Sequence, residues 1–139
     1  MGRLMGIDYG QKRVGIAVTD PSQMIASGLT TVGSHEVFDF IKDYIAKEPV
    51  DAFVIGSPKQ MNNQPSESAQ YVESFVRGLK RKHPEIPVHM VDERFTSKMA
   101  SRAMIEGGLK KKQRQNKALV DSISAALILQ SYMESKKFL

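Results

Sequence analysis

The stretch GIDYGQKRVGIAVTD, residues 6–20, contains two apolar runs separated by a short polar turn. Runs of this kind, divided by Gly and polar residues, predict two antiparallel strands joined by a tight turn. Asp8 lies inside the first apolar run, where a carboxylate is costly to bury without a partner. The stretch therefore predicts a strand pair in which Asp8 has a polar partner, a bound cation or an exposed strand end.

The composition is that of a globular protein, and we expect residues 1–139 to form a single domain. Hydrophobic residues make up 41% and charged residues 25% of the chain, which argues against global disorder. Cysteine is absent, which excludes disulfide bridges and thiolate metal sites. No apolar run approaches the ~18 residues of a membrane helix and no secretory signal is visible, so we expect a cytoplasmic protein with no membrane contact.

The net charge of +5 favours polyanionic partners, above all nucleic acid. One basic stretch lies between Gly107 and Lys117 and has no acidic residue. Its cations are Lys110, Lys111, Lys112, Arg114 and Lys117. A second cluster contains Arg77, Lys80, Arg81 and Lys82. Two solvated surfaces would account for these clusters as well as a bound nucleic acid would.

The remainder of the chain alternates between strand and helix patterns. Strands are predicted at residues 4–8, 14–19, 29–32, 51–56 and 86–92. Helices are predicted from an N-cap at Ser34 to Lys47, from Ser66, from Thr96 or Ser97, and over residues 118–135. The order predicts an α/β fold: a mixed five-stranded sheet, its first three strands antiparallel, flanked by helices.

Carboxylates fall where an α/β sheet binds its ligands, beyond the carboxyl ends of the strands. Asp8 closes the first strand, and Asp92 and Glu93 close the fifth. Asp121 lies early in the last helix, on the face that packs against the protein. Converging carboxylates repel one another unless a cation lies between them, and Mg²⁺ or Mn²⁺ favours such oxygen ligands.

This pattern predicts metal-assisted hydrolysis of phosphodiester bonds by Asp8, Glu93 and Asp121. Lys12 and Arg13 follow the first acid and Arg94 follows the second, so these cations are candidate phosphate ligands. Taken singly, each acid also has a structural explanation: a turn residue, an ion pair with a neighbouring arginine, or an acid at a helix N-terminus. Their common predicted location favours the metal site.

Four segments resemble, in order and spacing, the signature blocks of the YqgF family of RuvC-related proteins: GIDYGQKRVGIAVTD, VIGSPKQMNN, VDERFTS and LVDSISAALILQSYM. The resemblance spans nearly the whole chain and implies an RNase H-like fold. It also implies that Asp8, Glu93 and Asp121 are the catalytic acids that bind Mg²⁺ or Mn²⁺. The implied activity is a nuclease that matures the 5′ end of pre-16S ribosomal RNA, or a Holliday junction resolvase.

The chain departs from this resemblance in two places: Asn62-Asn63 stands where the family loop has Asp-Gly, and one catalytic acid is missing. RuvC-type enzymes carry a fourth carboxylate near the last one, where this chain has Ser122 and Ser124. Asp92 or Asp20 could take its place, and without such a substitute a non-catalytic factor that binds nucleic acid is an alternative interpretation.

Two further alternatives concern the protein class and its assembly. The first block also resembles a phosphate motif of the actin and sugar-kinase ATPases, which need two such domains. A nuclease that trims structured RNA could act as a monomer, whereas a resolvase of branched DNA needs a homodimer.

Overall fold

The computed structural model describes residues 2–57, 67–92 and 117–137. Its elements, in chain order, are β1 (Arg3–Tyr9), β2 (Arg13–Thr19), β3 (Ala26–Gly33), α1 (Val37–Lys47), β4 (Val50–Ser57), α2 (Glu67–Lys82), β5 (Val88–Asp92) and α3 (Lys117–Lys137). The strands form one sheet in the order β3-β2-β1-β4-β5. The first three strands are antiparallel, and β4 and β5 run parallel to β1. The predicted mixed sheet is confirmed, while the helix predicted from Thr96 or Ser97 lies outside the described residues.

The sheet is covered on both faces. Helices α1 and α2 enclose the larger core on one face, where Phe53 and Leu79 are among the fully buried side chains. Helix α3 covers the other face with Ala125, Ile128 and Leu129. Strands β1 and β4 are buried on both faces, which explains their nearly continuous apolar sequences.

Helix α3 lies close to the sheet because glycines lie beneath it. A Cβ atom on Gly6 of β1 would come within 2.7 Å of the carbonyl oxygen of Ala125, and one on Gly15 of β2 within 2.1 Å of that of Asp121. Glycine in a strand interior is typical of such close backbone approaches. Asp121, the fifth residue of α3, therefore lies directly over the main chain of β2. None of the helices in the described part of the chain is long and apolar enough to cross a membrane.

Two predicted boundaries are wrong. Ser34 is not the N-cap of α1: the cap residue is Glu36, and no described side chain caps this helix. Instead, Ser34 donates from its hydroxyl to the carbonyl oxygen of Gln11 at 2.5 Å and from its N–H to that of Lys12 at 3.1 Å. The hydroxyl that could have capped the helix thus donates to a distant backbone carbonyl instead. Strand β3 begins three residues earlier than predicted, at Ala26, since its pairing with β2 continues to the end of that strand.

Candidate active site

Asp8 is the penultimate residue of β1 and is half-buried. Its side chain lies on the α3 face of the sheet, because side chains alternate along a strand and Leu4 packs against α3. Its partner across the antiparallel ladder is Gly15 of β2. The carboxylate of Asp8 therefore lies at the carboxyl end of β1, opposite a residue without a side chain.

Asp121 reaches the same place from the first turns of α3. Its Cβ atom lies 3.0 Å from the position that a Cβ atom on Gly15 would occupy. Directly opposed residues of an antiparallel ladder have Cβ atoms about 5 Å apart, so the Cβ atoms of Asp8 and Asp121 lie within about 8 Å of each other. This spacing is short enough for both carboxylates to reach one small cation. The structure thus brings together two of the three predicted acids.

Arg13, the first residue of β2, lies beside these acids. Its Nε donates to Oδ2 of Asp121 at 2.9 Å, and the two side chains are 44% and 23% exposed. Ion pairs this exposed typically contribute about 0–1 kcal/mol to stability. A stronger ligand for either partner, such as a divalent cation or a phosphate, can therefore replace the pair.

The turn that carries Lys12 and Arg13 is held from two sides. The N–H of Gly10 donates to the carbonyl oxygen of Arg13 at 3.0 Å and closes the turn. The two bonds from Ser34 attach the turn to the connection between β3 and α1. Lys12 and Arg13 are exposed, so both predicted phosphate ligands of this turn lie at the solvent edge next to Asp8.

Strand β5 ends at Asp92, at the same edge of the sheet as Asp8, because β1, β4 and β5 are parallel. Glu93, the third predicted acid, lies outside the described residues. The same holds for the predicted phosphate ligands Arg94, Lys110, Lys111, Lys112 and Arg114. Lys117 begins α3, and its side chain is outside the described part. Among the described side chains, no three of His, Asp or Glu converge to hold a metal ion.

Asp20 does not belong to this site. It follows β2, which runs antiparallel to β1, and so lies at the opposite edge of the sheet from Asp8. Its carboxylate accepts a hydrogen bond from the hydroxyl of Ser22 and from the N–H groups of Met24 and Ile25. These bonds, with that of Ser22 the strongest cause, lower the pKa of Asp20 from 3.8 to about 2. Of the two candidates for a fourth carboxylate, only Asp92 lies at the correct edge.

Two residues that shape the site were not recognised from the sequence. Gly15 carried a usable signal, since a glycine inside an apolar strand often marks a close backbone approach. Ser34 carried none, because its contact with the turn depends on how β3 returns beside β2.

Known proteins resemble the chain in sequence and in fold. A relative from Bacteroides thetaiotaomicron, named "Putative pre-16S rRNA nuclease", is 62% identical over 138 residues, which cover 99% of this chain and 100% of the relative. A relative of the same name from Parabacteroides distasonis is 63% identical over 138 residues, 99% of each chain. RuvC of Thermus thermophilus, solved in complex with a Holliday junction substrate, has a TM-score of 0.58 and 18% identity, over 96% of each chain. The likeness to RuvC confirms the expected RNase H-like fold.

The family described as "RuvX: Holliday junction resolvase" matches residues 2–135. This description and the name of the relatives both denote nucleases, which are hydrolases acting on nucleic acid. The resemblance to the YqgF family is thereby confirmed. Because the match spans nearly the whole chain, and full-length relatives exceed 60% identity, the chain belongs to the RuvX family.

Proposed function

We propose that this chain is a divalent-metal-dependent endonuclease that hydrolyses phosphodiester bonds in structured nucleic acid, with residues 1–139 acting as one domain. The observation that carries the proposal is the convergence of Asp8 and Asp121 over Gly15, beside a cationic turn. The favoured substrate is the 5′ region of pre-16S ribosomal RNA, because relatives above 60% identity carry that name. Such a role in ribosome maturation would place the protein in the cytoplasm.

The residues at this edge fit a hard divalent cation such as Mg²⁺ or Mn²⁺. Mg²⁺ is usually held by one or two carboxylates, with waters and substrate phosphates completing its shell. Asp8 and Asp121 supply two carboxylates, and Glu93, directly after β5, is the third proposed ligand. When bound, a divalent cation offsets the charge of the phosphate and lowers the pKa of a bound water.

The cationic residues of the chain would position the substrate. The planar guanidinium of Arg13 matches a phosphate group in shape, and Lys12 adds a second charge in the same turn. Arg94 and the basic stretch from Lys110 to Lys117 would bind the backbone on either side of the cut. Because each phosphate contact releases counterions, we expect binding to weaken steeply with increasing salt.

Cleavage of labelled nucleic acids with Mg²⁺ or Mn²⁺ tests the proposal. The substrates are a precursor segment of the 16S ribosomal RNA 5′ end, a four-way DNA junction and a single-stranded control. We expect wild type to cut the RNA, and Asp8→Asn and Asp121→Asn to bind it without cutting. Asp20→Asn, at the opposite edge of the sheet, is the matched control and keeps activity. If wild type binds the RNA but never cuts any substrate, the chain is a non-catalytic binding factor.

A second candidate function is the resolution of four-way DNA junctions, which the family description favours. A resolvase cuts two strands symmetrically and therefore needs two active sites in a homodimer, whereas a monomer suffices for trimming RNA. Symmetric cutting of the junction, together with a dimer in sedimentation analysis, would select this function over RNA maturation.

A further inference from the structure

The exposed surface of α2 carries positive charge that the proposed active site does not use. We call Arg77, Lys80, Arg81 and Lys82 the basic face of α2; all four side chains are exposed. Within residues 2–57, 67–92 and 117–137, none of them forms an ion pair with a carboxylate. The ammonium of Lys82 lies 5.2 Å from the ring centroid of Phe38. The side chains of Arg77, Lys80 and Arg81 are exposed to solvent.

Helix α1, which packs on the same face of the sheet, has a different charge pattern. Its exposed positions alternate in sign, with Asp39 before Lys42 and Asp43 before Lys47, at the three- and four-residue spacings that let side chains interact. That pattern is typical of a helix surface that only meets water. The C-terminal half of α2 lacks it.

The basic face of α2 has an energetic cost in the free protein. Arg77 and Arg81 are like charges four residues apart, a spacing that destabilises a helix by a few tenths of a kcal/mol, roughly. Cations in the last turn favourably oppose the helix dipole, which explains Lys80, Arg81 and Lys82. Arg77 lies before the last turn and four residues after the exposed Glu73, with which it lines the same cavity but forms no ion pair in the described part of the chain. A bound polyanion would offset the repulsion within this surface.

The basic face has Arg77 at the end that is nearer the active edge, on the face of the sheet opposite to the side chain of Asp8. Arg77 lines a cavity with Ser57, the last residue of β4, and Met90 of β5. The carboxyl end of β4 lies at the same edge of the sheet as Asp8, since β1 and β4 are parallel. From there the surface extends along α2, with Arg77 and Arg81 about 6 Å apart along the helix axis. A chain of phosphates that leaves the active edge and passes around β5, an outer strand of the sheet, to the face covered by α2 would meet Arg77 first.

We propose that the basic face of α2 is a second nucleic-acid contact surface, which binds the phosphate backbone of a segment that flanks the cut. This inference rests on the proposed function, because the flanked substrate is the one that the active site would cut. Contacts of guanidinium and ammonium groups with phosphates position a nucleic acid without reading its sequence. A substrate with a long base-paired segment beside the cut would therefore reach both surfaces. A substrate truncated at the cut would reach only the active edge.

The test compares Arg77→Gln/Arg81→Gln with the control Lys42→Gln/Lys47→Gln, which removes the same charge from exposed positions of α1. Both pairs are placed in an Asp8→Asn background. Fluorescence anisotropy then measures binding of flanked and truncated RNA across a salt series. For the flanked RNA, we expect the α2 pair to reduce the slope of log affinity against log salt by about one for each lost phosphate contact. The truncated RNA and the control pair keep their slopes.

The charge-preserving pair Arg77→Lys/Arg81→Lys should retain the slope, and thermal unfolding confirms that each variant is folded. The inference is overturned if the α2 and α1 pairs have equal effects, since that result reflects net charge alone. It is also overturned if the α2 pair binds flanked RNA with an unchanged slope of log affinity against log salt. In that case the basic face of α2 would bind another polyanion, such as an acidic protein. Binding in the Asp8→Asn background needs no cleavage, so failure of the nuclease proposal and failure of this one are separate results.

Discussion

Arg13 and Asp121 lie 108 positions apart in the sequence and form an ion pair, with 2.9 Å between Nε and Oδ2. The pair joins the start of β2 to the beginning of α3, beside Asp8. A guanidinium thus occupies one oxygen of a proposed metal ligand. A cation at that carboxylate would compete with Arg13 for it, so the arrival of the cation would weaken the pair and favour contact of Arg13 with phosphate.

Arg13→Gln should therefore raise the affinity for Mn²⁺ while lowering the affinity for nucleic acid when Mn²⁺ is bound. An exposed pair of this kind is worth up to about 1 kcal/mol, which corresponds to a gain in metal affinity of up to about fivefold. Electron paramagnetic resonance of Mn²⁺ measures that gain without any nucleic acid. Lys12→Gln removes a charge from the same turn and serves as the control. An equal gain in both variants would show that net charge, and not the bond to Asp121, controls the site.

Gly15→Ala should destabilise the protein by about 1–3 kcal/mol, the usual cost of overpacking a closely packed site. The added Cβ atom would come within 2.1 Å of the carbonyl oxygen of Asp121, and this main-chain atom moves only if α3 moves. Gly28→Ala on β3 is the control, because its Cβ atom would lie 3.2 Å from its nearest neighbours, atoms of Ser122. Urea denaturation compares the two free energies of unfolding. Similar losses would contradict a specific contact of α3 with β2.

Asp20→Asn should reduce the dependence of stability on acidic pH. Hydrogen bonds lower the pKa of Asp20 in the folded protein from 3.8 to about 2, so folding favours its charged form. The resulting stabilisation is complete above pH 3.8 and is lost as the pH falls through about 2. Thermal unfolding between these two pH values measures the effect, with the exposed Asp43→Asn on α1 as the control. A variant with the pH profile of wild type would show that these bonds do not stabilise the loop.

Glu93→Gln and Asp92→Asn test which acid after β5 completes the metal site. We expect Glu93→Gln to abolish cutting and to lower Mn²⁺ affinity by at least about 10-fold, because even an outer partner of a metal ligand costs that much. Asp92→Asn should reduce cutting less than Glu93→Gln does, because Asp92 is only the candidate fourth carboxylate. If Asp92→Asn instead loses more cutting and more Mn²⁺ affinity than Glu93→Gln, Asp92 is the metal ligand and Glu93 the candidate fourth carboxylate.

Much of the fold could be predicted because its determinants are local. The apolar runs around Ile7 and Val54 and the short turn at Gly10 specify strands and a hairpin through side-chain alternation and turn chemistry. The placement of Ser34 and the edge to which Asp20 belongs could not be predicted. The first depends on a hydrogen bond to the neighbouring hairpin. The second depends on the direction in which β2 runs.

Periodicity within each segment is sufficient to predict the order of the described strands and helices, an acid near the end of β1 and an acid on the inward face of α3. It is not sufficient to predict that Asp8, Asp121 and Arg13 share one site while Asp20 lies at the other edge. That arrangement depends on the close approach of α3 to the bare backbone of Gly15 and on the antiparallel course of β2. Contacts between distant segments of this kind leave no periodic pattern within either segment.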